Sequence, residues 1–161
     1  MHPKRRAALT LMLARDSLLS CHRLARHIVE EIDGVGAKQW GQAYARRIEL
    51  FESLMRCLID YGVRPTDLQN KLKTVPTEEK VPVNLASVLE AEGRLERHLG
   101  FSLRAGIEDP ELARLLARAF EEVRHFRAAL ELESVAAAPA GRDYAPVSVD
   151  KCPEFAGAVL H

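Results

Sequence analysis

Four long segments of this chain place apolar residues three and four apart, and a single long interval between the second and third of them loses that pattern. Long amphipathic helices with one extended link leave few ways to build a core, because each apolar stripe must be covered by the others. The composition agrees with a helical chain, since Leu, Ala, Glu and Arg dominate and aromatic residues make up only 6%. At 161 residues the chain is long enough for one domain with a sizeable core and too short for two.

The first helix is expected over about 6–33, ending at Gly34-Val35-Gly36. Leu9, Met12, Leu13, Leu19 and Leu24 share its apolar face with Asp16, Ser20, Arg23 and His27. Asp16 thus sits in the middle of an apolar stripe, where a carboxylate has to be paired, bound to metal or protonated. The second helix, about 37–61, stops at Gly62 with Pro65 beyond it. Its stripe runs through Trp40, Tyr44, Ile48, Phe51, Leu54, Met55 and Leu58 and includes Arg47, whereas Arg46, Glu49, Ser53 and Arg56 form a solvated face.

From Thr66 to Val83, with Pro76, Pro82 and the charged Glu78-Glu79-Lys80, no helical pattern is expected. The third helix spans about 85–104, and among its inward leucines Glu92 is a second carboxylate. The fourth, about 110–133, opens with Asp109 as cap and Pro110 at the first helical position. Its stripe is Leu112, Leu115, Leu116, Ala119, Val123, Phe126 and Leu130. The helices thus place one domain at 1–134, followed by an irregular tail over 135–161 rich in Ala, Pro and Gly.

With 23 basic and 23 acidic residues the chain has no net field to attract nucleic acid or an anionic membrane. Cys21, Cys57 and Cys152 lack the paired spacing of a disulfide scaffold or zinc finger, which suits a reducing cytoplasm. Neither a secretory signal nor a membrane span is expected. Nucleophile arrangements of Ser, Cys or His and Gly-rich phosphate loops are absent from the sequence. His22 and His98 have no partner at ligand spacing, and His27 and Trp40 read as packing residues.

One spacing suggests chemistry. Glu122-Val123-Arg124-His125 puts a carboxylate and an imidazole three apart on the fourth helix, the pairing that di-iron helix bundles repeat. Together with Asp16, Glu92, the segment Leu58-Ile59-Asp60-Tyr61-Gly62, and Asp67-Leu68-Gln69, the chain resembles the ferritin-like superfamily, and the bacterioferritin family in particular. The resemblance implies an all-α, ferritin-like four-helix bundle with a long crossover between helices 2 and 3.

In that family a carboxylate from each of the first and third helices and a Glu-x-x-His pair from each of the second and fourth hold two irons. The resemblance places Asp16, Glu92, Glu122 and His125 at such metal positions, although a register one residue on puts Val123 and Phe126 there instead. On the second helix the family's pair falls on Arg47 and Leu50, or on Arg46 and Glu49. The haem-holding methionine falls on Ile48 or Arg47, so methionine-ligated haem is not expected.

A core salt bridge in which Arg47 replaces metal by pairing with Asp16 and Glu92 is the expectation for the centre, with no cofactor bound; iron at an altered site is the alternative. Three roles are compatible with this. They are an iron-handling subunit, as a homodimer or co-assembled with a related subunit, a non-catalytic interaction bundle, and a divergent di-metal oxidase.

Overall fold

The computed structural model describes residues 1–30, 37–73, 75 and 84–137. Among these, every regular element is a helix: α1 (Pro3–Glu30), α2 (Ala37–Asp60), α3 (Pro65–Leu72), α4 (Leu85–Arg104) and α5 (Pro110–Ala137). Residues 1–130 form one compact unit; of a second, 131–161, only the helical residues 131–137 are described. The expected helical stop at 34–36 and nearly all of the expected irregular tail lie outside the described residues. The helix continues, however, through 135–137.

Local chemistry accounts for the helix ends. Gly62, at φ +87°, closes α2: its N–H donates to Ile59 O at 2.9 Å and the Val63 N–H donates to Leu58 O at 3.0 Å. Gly106, at φ +76°, follows α4 in the same left-handed region. Asn84 caps α4, its Oδ1 accepting from the Ser87 N–H at 2.8 Å while the Ser87 hydroxyl accepts from the Asn84 N–H in return. Asp109 caps α5, its Oδ1 accepting from the N–H groups of Glu111 at 3.0 Å and Leu112 at 3.2 Å.

The expectation of no helix between 66 and 83 needs correcting, because Pro65 to Leu72 form α3. Pro65 supplies the preset φ of a first helical position, and Leu68, fully buried, anchors this short helix in the same core as Leu13, Leu54 and Leu58. Leu72 and Val75 continue that contact toward Leu19 and Ala91.

Cross-helix contacts fix the directions of the long elements. Asp16, Ser20 and Arg23 of α1 meet His98, Glu92 and Ser87 of α4 in reverse order. Arg6 lies over the Tyr61 ring at 4.1 Å and His27 stacks on Trp40 at 4.2 Å, so α1 is also antiparallel to α2. Hence α2 and α4 run the same way. On α5, Phe126 meets Trp40 edge-on at 5.4 Å, while Asp109 accepts from the Tyr61 hydroxyl at 3.2 Å. α5 is therefore antiparallel to α2 and parallel to α1.

Leu13, Leu54, Leu95, Leu99, Leu116 and Val123, drawn from all four long helices, form one buried cluster. A second cluster, with Leu24, Trp40, Val88, Phe126 and Leu130, fills the other end. Two glycines of α4, Gly93 and Gly100, lie under side chains of α5. A Cβ on Gly100 would stand 3.3 Å from a Phe120 ring carbon and 3.3 Å from Arg104 Nη1.

Candidate functional site

At mid-length, between the two apolar clusters, the core holds charge. Arg47 of α2 is 1% exposed and Glu92 of α4 is 0% exposed. Their geometry is the parallel fork that guanidinium and carboxylate favour: Nε donates to Oε1 at 3.0 Å and Nη2 to Oε2 at 2.6 Å. The buried Ser20 hydroxyl of α1 also donates to Glu92 Oε1. Glu92 therefore accepts three hydrogen bonds from two helices. Such satisfaction is what a charge pair removed from water requires, because desolvation costs several kcal/mol per ion.

Asp16 does not join this pair. Its Oδ2 bonds Nδ1 of His98 across the α1–α4 interface, so the expected Arg47 bridge to both acids reduces to Arg47–Glu92. Asp16 sits just over one turn before Ser20, and the rise along α1 carries it past Glu92 to a residue farther along α4. With Asp16 ionised, Nδ1 carries the imidazole proton and Nε2 is left available. Sequence spacing could not reveal this partner, since His98 lies on another helix.

The α5 pair faces elsewhere. His125 is 81% exposed along its side chain, and its Nδ1 donates to the Glu121 carbonyl at 2.8 Å. Glu122 is half-buried in the cleft between α2 and α5, accepting from Arg118 Nε at 3.0 Å with Arg46 Nε 3.8 Å away. Val123 and Phe126, the alternative register, are the α5 residues that point into the core. The structure thus does not gather Asp16, Glu92, Glu122 and His125 into one site.

Cys21 completes the polar layer as a buried neighbour. Burial pushes its thiol up to about 12; Arg47 opposes that rise and Glu92 adds to it. Cys57 is also raised, chiefly by burial and then by Asp109 and Asp60. His27 keeps its stacked place against Trp40, with Nδ1 buried and lacking a hydrogen-bond partner.

No family model, curated protein or solved structure matches the chain. The site therefore has to be read from its own residues. Among the described residues, no group of three or more His, Cys, Asp or Glu side chains is placed to hold a metal ion. A di-iron centre needs several carboxylates converging on two divalent cations. Here Glu92 is occupied by Arg47, Asp16 by His98 and Glu122 by Arg118. A fixed guanidinium at the central position opposes any cation beside it. The donor set does not fit a di-iron centre.

Proposed function

We propose that this chain is a ferritin-like bundle in which the Arg47–Glu92 pair stands in the place of the di-metal centre. On this reading it acts through protein contacts, as a non-ferroxidase cytoplasmic subunit that self-associates or assembles with an iron-handling partner. The bidentate, solvent-excluded Arg47–Glu92 pair carries the proposal. The helix directions support it, since two antiparallel helix pairs with one long link between α2 and α4 are the ferritin-like connection. An internal cation that neutralises a leftover carboxylate explains how such a bundle keeps its fold without metal.

The test is iron loading. The purified chain, incubated aerobically with ferrous iron and then desalted, is expected to hold less than one equivalent of iron and to oxidise ferrous iron no faster than buffer. Size-exclusion chromatography with light scattering is expected to give a dimer or larger. Two tightly held irons with rapid oxidation would overturn the metal-free reading, and a strict monomer would remove self-association.

A further inference from the structure

A groove of about 600 Å³ opens between α1, α3, the end of α2 and the middle of α4, well separated in character from the sealed charge pair. Its volume falls in the range of roughly 300–1,000 Å³ typical of small-molecule sites. The walls are aliphatic: Leu11, Met12, Leu58, Val63, Leu68 and Val75 all contribute. The polar lining is one-sided. Among the described lining residues, Lys4, Arg15 and Arg94 face it against the carboxylate of Asp16, which His98 already engages.

The chain as a whole is neutral, so this excess of positive charge is local. Arg15 follows Ala14 on the exposed side of α1 and makes no ion pair with the described residues, while Arg94 lies only 3.7 Å from Glu90 at its closest. Arg94 and His98 are one helical turn apart, and Asp16, adjacent to Arg15, is bonded to His98; these groups therefore share one end of the groove. His98 is 36% exposed along its side chain, and its Nδ1 is taken by Asp16, which leaves Arg15 and Arg94 as the cations at this end.

We propose that this groove binds a single-chain fatty acid. The alkyl chain lies along Leu11, Met12, Leu58 and Leu68, and the carboxylate is held by Arg15 and Arg94. An apolar trough removes the chain from water, and Arg forks pair with a carboxylate through charge-assisted hydrogen bonds. Charge complementarity selects this ligand over a neutral or cationic amphiphile of equal length. The inference does not depend on the reading of the Arg47–Glu92 pair, because the groove excludes both residues.

The experiment is calorimetric titration of the full chain with dodecanoate below its micelle concentration. Saturable binding of one ligand per chain with a negative heat-capacity change is expected. The exposed double variant Arg15→Glu/Arg94→Glu, checked for retained helicity, should weaken binding by about tenfold or more through loss of two charge-assisted bonds. Leu11→Trp, which fills the trough without changing charge, should abolish it, and Lys38→Glu on α2 should leave it intact. Dodecyltrimethylammonium should not bind. The proposal fails if dodecanoate gives no saturable heat, if the cationic amphiphile binds equally, or if the charge-reversed variant binds as the parent does. Capture by anionic phosphatidylglycerol vesicles without dodecanoate binding would equally overturn it, in favour of a membrane surface.

Discussion

Arg47 and Glu92 are the residues on which the core is most sensitive, because each is tolerable there only in the presence of the other. Removing one leaves an uncompensated buried charge, so Arg47→Met should cost about 3–5 kcal/mol in urea unfolding. Replacing both, as Arg47→Met/Glu92→Met, should recover all of that loss or exceed the parent, since a well-packed apolar pair of similar volume avoids desolvation. A single-variant loss under about 1 kcal/mol would mean that water reaches the pair after all.

The buried thiol nearby sets a second expectation. Cys21 is pushed up to about 12 by burial, and the thiolate is the reactive form, so Cys21 should resist thiol reagents at pH 8 until urea exposes it. Tyr61 is likewise pushed up to about 12, by burial and by Asp109, whose carboxylate disfavours a second negative charge. Both shifts have the same sign. The unfolded chain ionises first, so their contribution to stability is complete below about pH 9 and is lost as the pH rises toward 12. Thermal melts across that window should show a steady fall in midpoint. Asp109 works in the opposite direction: hydrogen bonds from the Leu112 N–H, Tyr61 and the Glu111 N–H hold its carboxyl below the usual value. Its contribution is present above about pH 4 and fades as the pH falls below that.

At the level of elements, Asp109 shows how much a single cap contributes. Asp109→Ala removes the acceptor for two free N–H groups of α5 and the contact with Tyr61, and should destabilise by roughly 1–2 kcal/mol, read from denaturant midpoints. The α4–α5 contact is tested by Gly100→Val, which pushes a branched side chain into Phe120 and should cost about 1–3 kcal/mol. Both the cap at Asp109 and the boundaries of α4 at Leu85 and Arg104 were legible in the sequence, because caps and apolar periodicity act within one helix. The same periodicity put Asp16, Arg47 and Glu92 on inner faces, where all three are buried.

Partner choice was only half legible. Arg47 and Asp16 face inward alike, but which carboxylate reaches the guanidinium depends on the axial offset between helices, a quantity no single-helix pattern contains. His98 is silent in the sequence for the same reason, its partner lying on α1. α3 is a helix of two turns and offers too few periodic positions to stand out, although Pro65 with Leu68 and Leu72 is its signature. Glu122 and His125 matched a motif by spacing alone. Their neighbours Val123 and Phe126 had the stronger apolar claim on the core, and the helix cannot turn both pairs inward.

For the whole molecule, equal numbers of basic and acidic residues place the isoelectric point near 7.0. Solubility should pass through its minimum near neutral pH and recover on either side, a behaviour readily followed by turbidity. Among the described residues, no helix is long and apolar enough to cross a membrane. The charge layer across the middle of the core has one more consequence, which concerns how the chain settles on a single alignment. Leucines on facing helices accept many offsets at similar energy, whereas sliding α2 along α4 by one turn keeps the apolar face inward but carries Arg47 about 5.4 Å along the axis from Glu92. Every misaligned packing then holds two buried ions apart, at several kcal/mol each. The Arg47–Glu92 fork works as a positional key that makes shifted bundles unstable instead of merely less stable. The Met/Met variant should therefore keep its helicity and melt no lower than the parent, yet bind an apolar dye and give poorly dispersed amide resonances, as its helices slide among near-equal registers.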